Sequence, residues 1–403
     1  MKMIEGGVCA AIGFTAGGVH CGIRANRTKR DLAMIVSDRR AAAAAVYTTN
    51  LVKSAPITVT QRHLADGYAQ AVICNSGNAN TCNADGIDVA EKMSELAANE
   101  LKLSADDIIV GSTGVIGQRM DITPIAAGIP PLAASLSKST DEAAEAIMTT
   151  DTTAKQIAVS FEIGGVECRL GGIAKGSGMI HPNLATMLVF LTSDCAISPE
   201  MLQLALRTDI RSTFNMVSVD GDTSTNDMVS IMANGAAGNT PITAEGPEFD
   251  TFMQALNTIT VALCRAIAAD GEGATKLLEC RVSGAKDEVA AKTAAKSVIC
   301  SSLVKAAMFG EDANWGRVLC AIGYSGADVD VNTTGVKFVS AAGEVTVCEN
   351  GAGVDFSEET AAKVLAEKEI DIVVTFRDGD ASATAWGCDL TYDYVKINGD
   401  YRT

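Results

Sequence analysis

The 403-residue sequence contains only three histidines, 4% aromatic residues and too few cationic residues to balance its acids. Its 32 Lys and Arg against 49 Asp and Glu leave a formal charge of −17 at pH 7. We therefore expect no nucleic acid and no anionic membrane as a partner, because their phosphates would be repelled. The negative charge does not restrict the substrate, since an acidic protein can still contain a cationic pocket.

Long apolar runs and paired cysteines are also absent from the sequence. Twelve cysteines are scattered from Cys9 to Cys388 without a CxxC pair, so their spacing indicates neither a zinc site nor a redox motif. No 18 apolar residues run together, and the glycine-rich N-terminal segment carries Glu5. We expect a cytoplasmic globular protein with free, mostly buried thiols.

Strand-like and helix-like segments alternate along the chain, which predicts a mixed α/β fold. Early strand-like segments are LAMIVS, AAAAVYTT, APITVT and QAVICNS, and the stretch DDIIV is predicted to lead as a strand into GSTGVIG. Strands at 153–163 and 166–175 are predicted to form a hairpin that turns at Gly164-Gly165. Helices are predicted at 87–102, 131–148, from Ser198-Pro199 to about Asn215, and at 249–268, 286–307 and 357–367, with strands at 371–376, 382–386 and 390–397.

The stretch from Lys175 to Leu188, KGSGMIHPNLATML, combines a glycine-rich cationic turn with a threonine at the head of an apolar strand. A hydroxyl such as that of Thr186 is a poor nucleophile without a base, and the sequence shows no Ser/His/Asp set around it. If Thr186 became a chain N-terminus, its own α-amine would serve as the base. That outcome requires cleavage between Ala185 and Thr186, which the Thr186 hydroxyl could achieve by attacking the Ala185 carbonyl.

Three local patterns allow more than one interpretation. The local pattern alone favours an interpretation in which KGSG is a loop and Thr186 an ordinary strand threonine. GSTGVIG is at most a weak phosphate loop, because it is not GxGxxG and lacks the Lys-Ser/Thr pair of Walker loops. DGDTSTND has three aspartates but not the spacing of an EF-hand, which favours a polar turn that enters a buried strand.

Several motifs together resemble the ornithine acetyltransferase family, also called glutamate N-acetyltransferases. They occur in the family's order along nearly the whole chain. The motifs are NSGNAN at 75–80, GSTGVIG at 111–117, TTDT at 149–152, KGSGMIHPNLATML at 175–188, DGDTSTND at 220–227, DGEGATK at 270–276, GEDANWGR at 310–317 and the terminal NGDYRT.

The resemblance implies a layered α/β/β/α sandwich like that of N-terminal-nucleophile hydrolases. It also implies self-cleavage between Ala185 and Thr186, which would produce an alpha chain of residues 1–185 and a beta chain of residues 186–403. These chains would remain intertwined, and by analogy with the family they would assemble as a heterotetramer of two alpha and two beta chains.

The implied activity is transfer of acetyl from N-acetyl-L-ornithine to L-glutamate through an ester on Thr186. The transfer would need no cofactor and no metal, although some members also accept acetyl-CoA as a co-substrate. Thr113 and Gly114 match the family's oxyanion hole. Residues that match its substrate-binding positions are Thr152, Lys175, Thr186, Glu272, Asn398 and Thr403.

An alternative is that water hydrolyses the acyl ester on Thr186. The protein would then be a self-cleaving aminopeptidase or amidase of related fold. The matches at the substrate-binding positions argue against this alternative, and release of acetyl to water or to glutamate distinguishes the two.

Overall fold

The computed structural model describes residues 1–181 and 187–400. Predictions that concern Ala185, Thr186 and Thr403, including a strand that starts at Thr186, lie outside the described residues. Within them the chain forms two β-sheets, eleven α-helices and four short 3₁₀ helices.

The first sheet has nine strands in the order β1-β6-β7-β8-β10-β3-β4-β5, and β2 pairs additionally with β3. Strand β3 is 16 residues long, and its register with β4 shifts between Val36 and Ala41, where the chain is exposed. The strands are β1 Lys2–Ile4, β2 Phe14–Val19, β3 Leu32–Tyr47, β4 Tyr68–Asn78, β5 Ile108–Val115, β6 Lys155–Ile163, β7 Val166–Lys175, β8 Leu188–Ser193 and β10 Met228–Ala233.

This sheet bends so strongly that its two halves face each other. A Cβ on Gly111 in β5 would lie 3.3 Å from the ring of Phe190 in β8, although three strands separate β5 and β8 in the sheet. Side chains on each strand alternate between the faces. Phe190 therefore packs between the two halves, whereas Val189 and Leu191 pack toward the helices outside.

Eleven α-helices pack on the two sheets in the described residues, some of them on the two outer faces of the bent sheet. They are α1 Ala55–His63, α2 Gly86–Leu101, α3 Thr123–Ala134, α4 Asp141–Ala146, α5 Pro199–Asp209, α6 Pro247–Ala269, α7 Glu288–Cys300, α8 Ser302–Phe309, α9 Trp315–Gly323, α10 Glu358–Leu365 and α11 Tyr392–Gly399. Helices α1 to α3 cover one outer face and α5 and α6 cover the other. The result is the α/β/β/α sandwich that the resemblance implied.

The second sheet has seven strands in the order β14-β13-β12-β15-β11-β16-β9. Helix α7 packs on β11 and β16, and α10 packs on β12 and β13. The strands are β9 Val217–Ser218, β11 Leu277–Ala285, β12 Gly335–Ser340, β13 Gly343–Glu349, β14 Ala352–Gly353, β15 Glu369–Thr375 and β16 Ala381–Cys388.

Helix α6 joins the two sheets into one core. It packs against β6 and β7 of the first sheet and against β11 and β16 of the second. Among the described helices, α6 alone is long and apolar enough to cross a membrane by length and composition, with a mean hydropathy of 1.3. Its apolar residues, such as Phe252, Leu256 and Ile259, are fully buried in the core, which accounts for that composition.

The segments on either side of the predicted cleavage site interleave in the first sheet. Strands β8 and β10 follow that site in sequence, yet they lie between β7 and β3, which precede it. Backbone hydrogen bonds of the β7–β8 and β3–β10 pairs therefore connect the two segments. A chain cut between residues 181 and 187 would stay together through these pairs.

Many predicted elements are confirmed. The β6–β7 hairpin turns at Gly164 and Gly165, whose φ angles of 57° and 82° fit a tight two-residue turn. Helix α5 starts after Ser198, whose hydroxyl accepts a hydrogen bond from the Met201 amide. That helix ends at Asp209, earlier than predicted, because residues 210–213 form a turn that leads into a short 3₁₀ helix at Phe214–Met216.

The prediction of a strand for APITVT is wrong, because this segment is helix α1. Pro56 lies in its first turn, and the buried side chains Ile57 and Val59 face the sheet. The Thr60 hydroxyl both donates to the Val110 carbonyl oxygen and accepts from the Val110 amide, which ties α1 to β5. Packing therefore outweighs the β-propensity of four β-branched residues.

Two predicted long helices are each split in the structure. The predicted helix 131–148 becomes the end of α3 and all of α4, because Ser137 leaves the helix to exchange backbone hydrogen bonds with Ala16. The predicted helix 286–307 breaks into α7 and α8 at Ser301, whose hydroxyl caps α8 by accepting from the Val304 amide.

The strand predicted for 390–397 is also wrong, since residues 392–399 form helix α11. Tyr392 and Val395 are 84% and 69% exposed, so no buried face stabilises an alternating strand. The Thr391 hydroxyl donates to the Gly273 carbonyl oxygen at 2.7 Å and fixes where the helix begins.

Candidate active site

One cavity of about 320 Å³ brings together five of the residues that the sequence singled out. These are Thr113, Gly114, Lys175, Glu272 and Asn398. The full lining is Thr113, Gly114, Val115, Ile116, Thr149, Thr150, Lys175, Gly178, Met179, Ser224, Asn226, Glu272 and Asn398. We call this cavity the reaction pocket.

The Thr113-Gly114 pair forms the end of strand β5 at the wall of this pocket. Gly114 has φ +133°, and a Cβ there would lie 2.3 Å from the backbone carbon of Gly77, so only glycine fits. The β4–β5 register shifts at Gly77-Asn78, which places a bulge directly opposite Gly114. Local backbone geometry thus turns the end of β5 toward the cavity.

Buried asparagines hold this turn in place. The Asn226 amide group donates to the carbonyl oxygens of Ala79 and Ser112 at 2.6 and 2.8 Å and so connects the NSGNAN and GSTG motifs. The Asn75 side chain accepts from the Ser112 hydroxyl at 2.6 Å and donates to the Asn78 carbonyl oxygen at 2.9 Å. Sequence reasoning quoted these motifs but did not assign Asn226 a role.

Lys175 supplies a buried cation at the pocket. Lys175 is only 8% exposed. Its ammonium group forms no ion pair with any residue that the structure describes. The nearby carboxylate of Asp151 accepts from the Gly176 amide at 2.7 Å and pairs with Lys155, also at 2.7 Å. The charge of Lys175 therefore remains available to an anionic ligand in the pocket.

Asp151 is almost completely buried between two lysines. Burial alone would raise the pKa of its carboxyl, but the charges of Lys175 and Lys155 and the hydrogen bond from Lys155 hold the pKa well below its usual value of 3.8. A carboxylate with a depressed pKa stabilises the fold fully above its unfolded pKa. That stabilisation is lost as the pH falls below 3.8 toward the folded pKa.

Replacing Asp151 with Asn should lower the free energy of unfolding at pH 7 by about 3 kcal/mol, because it leaves buried Lys155 and Lys175 with less compensating charge. Between pH 4 and pH 2 the wild type should lose more stability than Asp151→Asn. Urea unfolding at pH 7 and in this acidic range measures both effects. As a control, Glu142→Gln removes a surface ion pair with Arg30 and should change the free energy of unfolding by less than about 1 kcal/mol. An equal loss of stability in both variants would show that the buried Asp151 carboxylate stabilises the fold no more than a surface ion pair does.

Glu272 and Asn398 form a polar pair that also lines the pocket. Asn398, on helix α11, donates to the Glu272 carboxylate at 2.7 Å, and the Glu272 amide donates to the Ser177 carbonyl oxygen at 3.0 Å. A Cβ on Gly178 would lie 2.4 Å from the Glu272 carboxylate. Gly178 therefore leaves the space that this carboxylate occupies.

Thr152 does not line the reaction pocket. Its hydroxyl and its amide both donate to the Asp270 carboxylate, with amide distances of 3.2 and 3.1 Å. Asp270 in turn pairs with Lys155 at 2.5 Å. This cluster fixes the TTDT turn against the DGEGATK loop, next to the pocket residues Thr149 and Thr150.

The Asp220 carboxylate holds the Met179–Ile180 end of the KGSGMI turn. Asp220 accepts from the amides of Met179 and Ile180 at 2.6 and 2.9 Å, and Met179 has a positive φ of 56°. His181 points away from the reaction pocket, since its Nδ1 lies 3.1 Å from the Ser218 hydroxyl and 3.5 Å from the Cys300 thiol. Burial and the charge of Lys296 lower the pKa of His181 to about 4, against the opposing effect of Asp220.

Asp227 is a buried carboxyl beside the described end of the cleavage segment. The Met228 amide donates to the Met187 carbonyl oxygen, so the chain at Asp227 runs beside Met187. Among residues 1–181 and 187–400, the Asp227 Oδ2 atom has no hydrogen-bond partner. Burial raises the pKa of this carboxyl well above its usual value, only partly offset by hydrogen bonds from Ser224 and Thr48 and by the charge of Lys175. The uncharged form is thereby favoured.

The charged and hydrogen-bonding groups of the pocket complement those of an amino acid. The pocket combines a buried cation, a carboxylate, amides and hydroxyls, which complement ammonium and carboxylate groups. Among residues 1–181 and 187–400, no group of three or more His, Cys, Asp or Glu side chains could hold a metal ion. All twelve cysteines are free, and most are buried or half-buried, as predicted.

Comparison with known proteins agrees with the motifs. The ArgJ family model matches residues 15–403. The arginine biosynthesis bifunctional protein ArgJ of Caldanaerobacter subterraneus subsp. tengcongensis is 50% identical over 405 residues, and that of Symbiobacterium thermophilum is 50% identical over 406 residues; both alignments cover 100% of each chain. A crystal structure of this bifunctional protein from Bacillus halodurans is 45% identical with a TM-score of 0.50, and the match covers 53% of this chain and 98% of that chain.

Proposed function

The chain belongs to the ArgJ family and is an acetyltransferase of arginine biosynthesis, and from that premise we propose that it transfers acetyl from N-acetyl-L-ornithine to L-glutamate by a ping-pong mechanism. The observation that carries this proposal is the reaction pocket. It combines the Thr113-Gly114 turn with the buried cation of Lys175 and with the Glu272–Asn398 pair in one cavity.

The nucleophile in this proposal is Thr186 after cleavage of the Ala185–Thr186 bond. The chains would be residues 1–185 and 186–403, in a cytoplasmic heterotetramer of two of each. Strands β8 and β10 lie between β7 and β3 in the sheet. This interleaving supports the proposed cleavage, because it would hold the two cleaved chains together. The solved Bacillus halodurans chain also supports it, since that chain matches almost its whole length with only 53% of this one.

Acyl transfer then proceeds in two balanced steps. The Thr186 oxygen attacks the acetyl carbonyl of N-acetylornithine, the C–N bond breaks, and the hydroxyl proton passes through the Thr186 α-amine to the departing ornithine amine. In the second step the glutamate amine attacks the acetyl ester, the ester C–O bond breaks, and the proton returns to the Thr186 oxygen. No coenzyme is needed, because the acetyl group stays bound to Thr186 as an ester between the two steps.

Thr113 and Gly114 stabilise the tetrahedral oxyanion in this mechanism. The Thr113 hydroxyl and the Gly114 backbone amide are donors of the kind that stabilise such a charge. The hydrogen bonds of Asn226 and Asn75 hold the backbone of this turn rigid. Preorganised donors lose no reorganisation energy when the charge develops. This rigidity is the reason to assign the turn to the transition state and not to ground-state binding.

Substrate recognition is proposed to use the charges of the pocket. Lys175 would bind the carboxylate that both substrates share, and Glu272 would bind an ammonium group. The Asn398 amide can donate or accept, so it can adapt when a cationic side chain is replaced by an anionic one. Thr152 would take part only by releasing Asp270, and Thr403 is proposed to contribute from the C-terminus.

Gly178→Ala should raise KM for N-acetylornithine about tenfold or more while the melting temperature changes little. The added methyl would displace the Glu272 carboxylate, which is the end of a flexible side chain, and so would weaken a charged hydrogen bond to the substrate without disturbing the core. Steady-state kinetics and thermal unfolding measure the two effects. Gly323→Ala, where nothing lies within 4 Å of the added Cβ, is the matched control; a normal KM in Gly178→Ala would remove Glu272 from substrate binding.

Labelled acetyl transfer tests the proposed function directly. Purified enzyme with acetyl-labelled N-acetylornithine and glutamate should form labelled N-acetylglutamate in the absence of coenzyme A, with parallel lines in double-reciprocal plots. Labelled acetate at the same rate with or without glutamate would instead establish the aminopeptidase or amidase alternative.

A further inference from the structure

A cavity of about 610 Å³ lies where the end of strand β3 meets helices α1 and α5. Lys53, Arg207 and Arg211 line it, and its described lining contains no Asp or Glu. All three cationic residues are exposed, and none forms an ion pair within residues 1–181 and 187–400. In a chain of formal charge −17, they form a local excess of positive charge. We call this space the cationic cavity.

The three cations come from separate parts of the chain. Arg207 lies in the last turn of α5, Arg211 follows four residues later in the turn after that helix, and Lys53 belongs to the loop before α1. The negative end of the α5 dipole offsets part of the charge of Arg207. It does not account for Lys53, which approaches from another element. Like charges at this spacing repel each other, and an anion between them would relieve the repulsion.

Two neutral side chains add hydrogen-bonding groups to the same lining. Tyr47, the last residue of β3, is half-buried, and its hydroxyl has no hydrogen-bond partner in the part of the chain that the structure describes. Burial raises the pKa of this hydroxyl above its usual value of 10.0, so it stays protonated and can donate at neutral pH. The exposed amide of Gln61 on α1 is the second group.

The backbone under the cationic cavity is held in a fixed position. Thr48 lines the cavity, and its amide donates to the Asp227 carbonyl oxygen at 3.0 Å. The Thr48 hydroxyl donates to the Ser224 carbonyl oxygen at 2.8 Å, and the Asn50 side chain donates to the Thr223 carbonyl oxygen at 2.9 Å. Residues 48–50 are therefore ordered before a ligand arrives, which lowers the entropic cost of binding.

We propose that the cationic cavity binds a phosphate group, either free or carried by a small organic molecule. A phosphate monoester has a charge of about −1.5 to −2 at pH 7 and three acceptor oxygens, which matches three cations better than the single charge of a carboxylate does. The guanidinium groups of Arg207 and Arg211 suit paired hydrogen bonds to phosphate oxygens. The inference does not depend on the proposed function, because the described linings of this cavity and of the reaction pocket share no residue.

Calorimetry on the full enzyme tests the proposal, in phosphate-free buffer of fixed ionic strength with inorganic phosphate and ribose 5-phosphate as probes. The wild type should bind at least one probe at one site per chain, and Arg207→Gln/Arg211→Gln should weaken that binding at least about tenfold. Circular dichroism should show that this variant folds, since both arginines are exposed and unpaired within the described ranges. Lys368→Gln/Arg377→Gln removes the same charge from two exposed positions beside the second sheet and should change the affinity less than about twofold.

Three results would overturn the proposal. The wild type could bind neither probe, or the two double variants could lose affinity equally, which would show attraction by net charge alone. Lys175→Gln should leave the affinity unchanged, and a loss of binding in this variant would place the phosphate in the reaction pocket instead. Tighter binding of ribose 5-phosphate than of inorganic phosphate would assign the site to a phosphorylated small molecule, and equal affinity would assign it to free phosphate; both results support a phosphate site. No acetyl donor is present, so a failure of the proposed transfer is recorded separately.

Discussion

Thr186→Ala is expected to run as one chain of 403 residues on a denaturing gel, whereas the wild type should give two bands of about 185 and 218 residues. Transfer of acetyl should fall at least about 10³-fold, because the variant lacks both the attacking oxygen and the free α-amine that acts as its base. Gel analysis and the labelled transfer assay measure the two losses in the same preparation.

Thr186→Ser is the matched variant for this experiment, because it keeps the hydroxyl and, after cleavage, the α-amine. It should still be cleaved, at a lower rate, and retain measurable transfer. Circular dichroism should show that Thr186→Ala folds, since the β7–β8 and β3–β10 pairings do not require cleavage. A wild type that stays intact and yet transfers acetyl would refute the N-terminal-threonine mechanism.

Thr113→Val should lower kcat about 10²-fold or more and change KM little. The valine has nearly the shape of the threonine but cannot donate a hydrogen bond to the oxyanion, a charge that exists only during acyl transfer. Thr113 is 8% exposed and the wall around it is rigid, so no other group can move in to replace the lost donor. Steady-state kinetics with N-acetylornithine separate the two parameters.

Thr260→Val controls for the loss of a buried threonine hydroxyl away from the pocket. That hydroxyl donates to the Leu256 carbonyl oxygen within helix α6, so its removal should affect stability by about 1 kcal/mol and leave kcat unchanged. If Thr113→Val raises KM at an unchanged kcat, Thr113 binds the ground state of the substrate and the oxyanion hole must lie elsewhere.

Secondary structure followed from local sequence wherever local signals and burial agreed. Ser198-Pro199 marked the start of α5, and the glycine pair at 164–165 marked a hairpin. Prediction failed where a distant contact outweighed the local pattern. APITVT became a helix because its apolar face packs on β5, and residues 392–399 became a helix because an alternating strand there would bury nothing.

The sequence by itself determined the family, because motifs spread over the whole chain identify it without knowledge of their contacts. It also determined which residue types carry the chemistry, namely a threonine at a candidate cleavage point, a Thr-Gly pair and a few charges. These are properties of residue identity and order, which do not depend on packing.

Only the tertiary structure decided how these residues meet. Gly114 lies against Gly77, and Asn226 holds the GSTG turn by hydrogen bonds. The Glu272 carboxylate occupies the space beside Gly178. Thr152 is bound to Asp270 outside the pocket. The tertiary structure also brought Arg24 and Lys29 to the same cavity as Gly114. Such contacts join residues up to more than a hundred positions apart in the chain, and they depend on the bend of one sheet, which no local pattern encodes.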